Sequence, residues 1–180
     1  MDIFEIMESR RSIRSYTDEA VGEERLLKVL EAARLAPSAS NKQCWKYIVI
    51  SDKELLKRLG EAVGYNPDRT AYEKASYMLI LCADPEKSSK RDDKQYYMTD
   101  AAISMQQLIL AAKALGLGTC WVAGFVEKPV KDLLKIPVNI KVVALTPLGF
   151  PAESPQSRGR KTMNEMIYYN YWGEATKNLN

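Results

Sequence analysis

The run "YMLILCA", Tyr77 to Ala83, is apolar at nearly every position. A strand with one wet face alternates apolar and polar residues, so an unbroken run of this kind reads as a strand covered on both faces. It predicts a sheet lying between two layers of helix. Two further segments share its character: "WKYIVIS", Trp45 to Ser51, is aromatic and β-branched, and "KVVALTPLGF", Lys141 to Phe150, reads as a last core strand. "GLGTCWVAGF", Gly116 to Phe125, reads as a strand region punctuated by glycine.

The intervening segments carry helical periods. Residues Ile3 to Arg10 place Ile3, Phe4, Ile6 and Met7 on one face, and Glu23 to Leu35 repeats Leu26, Leu27, Leu30, Ala33 and Leu35 until Pro37 stops it. Asp52 to Val63 is amphipathic, with Gly64 as its C-cap and "GYNPDRT" as a turn. Tyr96 to Leu115 is apolar almost all round through Ala101, Ala102, Ile103, Met105, Leu108, Ile109 and Ala112, which predicts burial between layers. Val126 to Leu134 is a short helix that tolerates Pro129 in its first turn. The expected fold is α+β: one domain over residues 1–180, with a central, mostly antiparallel sheet and helices on both faces. The tail, 151–180, holds the late aromatics of "MNEMIYYNYW" after the core strands are used up. Such residues are costly to leave in water, so the tail is expected to wrap over a surface, that of a second copy of the chain.

Composition narrows the chemistry. The 180 residues are 46% apolar and 27% charged, which suits a globular domain. Lysine plus arginine number 26 against 23 acids, a net charge of +3, too small to announce nucleic acid. The N-terminus carries acids where a signal peptide needs a basic start, and no apolar run suffices to span a bilayer. A cytoplasmic protein, with neither a membrane nor a nucleic-acid partner, is expected. Cys44, Cys82 and Cys120 are scattered in apolar runs without a CxxC pair, so buried thiols are expected. Histidine is absent, which removes Ser-His-Asp and Cys-His triads and His-ligated metals. An enzyme of this composition takes its hard chemistry from a bound cofactor.

Three arginines crowd one serine in "SRRSIRSYTDEAV", Ser9 to Val21. Arg10 and Arg11 can complement the dipole at the end of the first helix. That accounts less well for Ser12 and Arg14, whereas a phosphate dianion accounts for the whole cluster, because guanidinium forks match its oxygens. A second basic cluster, "SRGRK", holds Arg158, Arg160 and Lys161, and reads either as a solvated charge run or as the other half of one anion site. Gly116 and Gly118 read as a helix C-cap and turn, since the dinucleotide fingerprint fails where Trp121 stands. Gly124 is a position where a flat ligand can approach closely. In "PSASNKQCW", Asn41 and Gln43 could read a heterocycle edge. On spacing alone, a capping turn explains them better.

In order and spacing, "RRSIRSY", "APSASNKQCWKYIVI", "LGLGTCWVAGF", "LTPLGFPAESP" and "RGRK" together resemble the short members of the FMN-dependent nitroreductase family across nearly the whole chain. The resemblance implies a homodimer with FMN at the subunit interface. By it, Arg10 and Ser12 hold the flavin phosphate or ribityl chain, Arg158 and Arg160 complete the phosphate site, and Arg11 belongs to the same backbone segment. Arg14 is implied to sit near the pyrimidine edge, where a cation favours the reduced, anionic ring. The loop Pro37, Ser38, Ala39 and Asn41, with Gln43, would pack on the ring from the partner subunit. Backbone amides of Ala123 and Gly124 would face N5. Asn66, Asp68 and Lys74 offer a further ring contact without a clear register. The implied activity is hydride transfer from NADH or NADPH through flavin N5 to a flat, electron-poor small molecule such as a nitroaromatic or quinone. Alternatives are another acceptor on the same cofactor (flavin reductase, enone reductase, dehalogenase) or a flavin-binding sensor or carrier without turnover.

Overall fold

The computed structural model describes residues 2–63 and 73–174. In chain order these form α1 (Ile3–Ser9), α2 (Glu23–Arg34), β1 (Trp45–Ile50), α3 (Lys53–Val63), β2 (Tyr77–Ala83), a small β3–β4 hairpin (Lys90–Arg91 and Lys94–Gln95), α4 (Tyr97–Ala114), β5 (Gly118–Thr119), α5 (Glu127–Leu134) and β6 (Lys141–Gly149). The main sheet has the order β1-β2-β6-β5 and is antiparallel throughout. The fold is α+β, as expected.

The opening run explains the layering. Along β2, Leu79, Leu81 and Ala83 join one core, with α2 and α4, while Met78, Ile80 and Cys82 join the other, with α3 and α5. Alternate side chains enter opposite layers, so neither face permits a polar residue. β6 shares this burial, with Ala144 and Leu148 in the first core and Val142 and Leu145 in the second.

Three expectations need correction. On α1 only Ile6 is buried, while Ile3, Phe4 and Met7 remain exposed. The helix is seven residues long and buries only Ile6, so its apolar face borders an open groove that it shares with Leu35 and Leu110. On α4, Ala101, Met105, Leu108, Ile109 and Ala112 are buried, but Ile103 and Met98 face outward, because α2 and the sheet cover only part of the helix. The strand expected over Gly116 to Phe125 shrinks to β5 plus a single bridge between Val122 and Leu145. Gly116 ends α4 in the left-handed region, as its reading as a cap required. All of "GYNPDRT", residues 64–70, lies outside the described residues, and with it Gly64, Asn66 and Asp68. Among the described residues, no helix is long and apolar enough to cross a membrane.

Two weak acids, the partly buried Tyr47 and the buried Cys82, govern how the core responds to alkali. Tyr47 packs against the first core and shares a 3.0 Å hydrogen bond with Ser104. Burial pushes its phenol from 10.0 to about 12, although the Ser104 bond works the other way. Burial likewise raises the Cys82 thiol from 9.0 to about 11, opposed by nearby Lys131. Both groups hold their protons more tightly folded than unfolded. Their stabilisation is therefore complete below about pH 9 and is lost as pH rises toward about 12. Thermal melts followed by circular dichroism from pH 8 to 11 should show a falling midpoint, and Tyr47→Phe should flatten the decline. A parallel decline in that variant would exclude the phenol as a cause.

Candidate functional site

After α1 the chain runs extended as an arm from Arg10 to Thr17, with Arg10 itself in β conformation at the helix end. The Ile13 amide donates to the Thr119 carbonyl at 2.8 Å, and Ser12 bridges Thr119 in parallel. Further along, Tyr16 bridges Pro151, the Thr17 amide donates to the Phe150 carbonyl at 2.9 Å, and the Ala152 amide donates to the Ser15 carbonyl at 2.9 Å. The arm thus lies beside β5 and the exit of β6. Ile13 and Tyr16 turn inward as anchors, and the Tyr16 hydroxyl donates to the Ile13 carbonyl at 2.6 Å. Two glycines admit them. A Cβ on Gly118 would stand 2.9 Å from the Ile13 Cβ, and one on Gly149 would stand 2.8 Å from the Tyr16 ring. Gly118 is therefore a strand residue selected for lack of a side chain, not part of a turn.

This docking brings the two basic clusters together. Arg10, Ser12, Arg14, Arg158 and Arg160 line one cavity of about 220 Å³, with Gln156 and Ser157 between them and no carboxylate on its wall. Among the described residues, Arg10, Arg14, Arg158 and Arg160 form no ion pair. Arg11 also reaches the cavity, but its guanidinium folds back to donate to the Glu8 carbonyl at 2.6 Å and the Arg10 carbonyl at 2.8 Å. It stabilises the end of α1, as the dipole argument anticipated. The remaining guanidiniums and the hydroxyl form a set of donors without a counter-anion. The chemistry of that set fits a phosphate dianion.

All three cysteines are buried, as expected. Cys120 lies under the arm, where burial raises its thiol pKa and Arg14, together with a hydrogen bond involving Ser12, opposes the rise. Sequence reasoning missed Glu153. Its carboxylate Oε1 accepts from the backbone amides of Arg14 and Ser15, the second at 3.0 Å. A carboxylate that receives backbone amides has no signature in the neighbouring residues, and "PAESP" gave none.

The Pro37–Gln43 loop stands apart from this cavity. It contains a short 3₁₀ turn, Ala39–Asn41, and places Ser40, Asn41 and Gln43 at φ of 52, 56 and 49°. Left-handed conformations at non-glycine residues cost about 1 kcal/mol or more each and gather at functional sites. Tertiary bonds hold the loop there: the Ala39 amide donates to Asp100 Oδ1 at 3.0 Å and the Gln43 amide to Ser38 Oγ at 2.9 Å. The Gln43 side chain donates to Asn41 Oδ1 at 2.9 Å, so the two amides partly satisfy each other, as the capping-turn reading required. Asp100 was also missed; it is a buried acid whose Oδ2 has no partner. Ala123 and Gly124 are exposed beyond the Val122 bridge, and a Cβ at Gly124 would meet nothing within 4 Å. Lys74 is exposed. Within one chain, neither the loop nor Ala123 and Gly124 line the arginine cavity.

Residues 7–73 and 65–150 match the sequence model described as the nitroreductase family. An FMN reductase [NAD(P)H] of Bacillus subtilis is 30% identical over 198 residues, covering 99% of this chain and 78% of the other. A nitroreductase family protein from Clostridium novyi NT has a similar crystal structure, at TM-score 0.82 and 36% identity over 97% of both chains. The structure of an FMN-dependent nitroreductase from Clostridium difficile R20291 superposes at TM-score 0.81, with 29% identity over 94% of this chain and 99% of that one.

Proposed function

The chain belongs to the nitroreductase family, and from that premise we propose that it is an NAD(P)H-dependent FMN oxidoreductase working as a homodimer. The observation that carries the reading is the cavity in which arginines from both ends of the fold meet without a carboxylate. Arg10, Arg158 and Arg160 would bind the FMN phosphate through charge-assisted hydrogen bonds, with the Ser12 hydroxyl as a further donor. Bound there, FMN would supply hydride-transfer chemistry through N5 between NADH or NADPH and a flat, electron-poor acceptor such as a nitroaromatic or quinone. Arg14 is exposed on the arm, where it would contribute positive charge toward the pyrimidine side. The open space at Gly124, next to the exposed Ala123, would leave the backbone free to approach the ring.

The dimer completes what one chain leaves unfinished. Ile3, Met7 and Leu35 expose apolar surface around one groove, and Phe4 and, in the tail, Tyr168, Tyr169, Tyr171 and Trp172 are exposed as well. Burial of both against a second copy removes them from water. The same association would bring the partner's loop, from Pro37 to Gln43, against the ring. In this reading, residues 1–180 act as one domain whose tail from Pro151 lies over the partner.

Mass spectrometry of the ligand released from yellow, purified protein, followed by steady-state oxidation of NADH and NADPH with a quinone, tests the assignment. A colourless protein that neither takes up FMN nor oxidises either nicotinamide would refute it. Arg14→Ala is expected to lower the flavin midpoint potential, because it removes a cation that favours the anionic reduced ring. Spectroelectrochemistry measures this, and an unchanged potential would remove Arg14 from that role.

A further inference from the structure

We propose that Glu153 is the positioning residue of the phosphate cavity, an inference that rests on the FMN reading above. Glu153 belongs to the tail, and the amides it accepts belong to the arm. With the Ala152 amide bonded to the Ser15 carbonyl, it ties the two chain ends together by three hydrogen bonds. Among the described residues it is the last such tie before Arg158 and Arg160. From Ser154 to Lys161 the hydrogen bonds are local, such as Gly159 N–H to Ser157 Oγ and Arg160 Nη1 to the Gly159 carbonyl. Without Glu153, the tail arginines would hang from Ala152, and Arg14 would lose the fixed backbone that aims it.

The carboxylate does this from behind. It does not line the arginine cavity but an adjoining hollow, with Arg10, Ile13 and Thr119. Its geometry helps an anion bind, while its negative charge opposes the anion. These two effects have opposite signs and can be separated. Glu153→Gln keeps an oxygen for both amides and deletes the charge. Glu153→Asp keeps the charge and withdraws the oxygen by one methylene.

Apo forms of both variants are titrated with FMN and with riboflavin, which lacks the phosphate, and their melting temperatures are recorded. The affinity ratio of FMN to riboflavin isolates the phosphate contribution, and a merely structural role would lower the melting point without moving it. Glu153→Gln should hold the ratio at the parent value or raise it, by up to about threefold, through relief of repulsion. Glu153→Asp should lower it by about tenfold, since a misaimed pair of arginines loses charge-assisted bonds. Equal ratios in the two variants would overturn the proposal. Should Glu153→Asp fail to fold, a ratio in Glu153→Gln below the parent's overturns it alone, and a ratio at or above the parent's supports it. The variant Arg10→Ala/Arg160→Ala serves as reference. If that variant leaves the ratio intact, the phosphate reading fails; if it collapses the ratio while Glu153→Asp does not, only the role of Glu153 falls.

Discussion

Replacing Arg10 and Arg160 together by alanine should weaken FMN binding by at least about 100-fold and leave the apo chain folded. A hydrogen bond from a charged donor contributes about 1.5–3 kcal/mol. Two such donors amount to about 3–6 kcal/mol, and each 1.4 kcal/mol is about tenfold in affinity. The fold should survive because neither side chain is buried. Among the described residues, the only side-chain bond that either donates is from Arg160 to the neighbouring Gly159 carbonyl, at 2.6 Å. Fluorescence quenching of FMN by the apo-protein gives the affinity, and riboflavin, without the phosphate, should bind the variant and the parent alike. An FMN affinity within a few-fold of the parent would mean that the phosphate lies elsewhere.

Gly149→Ala should be a damaging single-methyl addition. The new Cβ would meet Tyr16 Cδ1 at 2.8 Å, with the backbone of Ala75 at 3.5 Å on another side. The ring cannot yield easily: Tyr16 is 2% exposed, and its hydroxyl is bonded to the Ile13 carbonyl. Overpacking of this kind costs about 1–3 kcal/mol, which corresponds to roughly 2–4 °C of melting temperature per kcal/mol in a domain of this size. Because the displaced Tyr16 anchors the arm, FMN affinity should fall as well, although residue 149 lines no part of the arginine cavity. Gly124→Ala is the control, since its Cβ would enter open space, and its apo melting point should match the parent's. Equal melting points for all three proteins would show that the arm does not depend on close approach at Gly149.

The layered sheet was legible because its evidence is local. "YMLILCA" is apolar for the reason that the structure displays, with alternate residues in two cores. The chemistry of the arginines was legible from residue type, but their convergence was not. It depends on pairings such as Tyr16 with Pro151 and Ser15 with Ala152, which join distant parts of the chain. Gly118 was misread because a glycine used for its small size and one used for its backbone freedom look alike in a sequence. The residue that distinguishes them, Ile13, lies on another element. On α1 the helical period identified the apolar face correctly. It could not show that three of its four members would remain exposed.

The meeting of arm and tail also sets the order of events during biosynthesis. Arg10 leaves the ribosome well before Arg160, and the wall opposite it is not made until Arg160 has been added. A nascent chain can therefore assemble much of its sheet while still unable to grip a phosphate. Polypeptides cut short before that point, or clipped there by a protease, should accumulate without pigment. Colour in such a preparation then reports that synthesis passed Arg160, as well as that folding occurred.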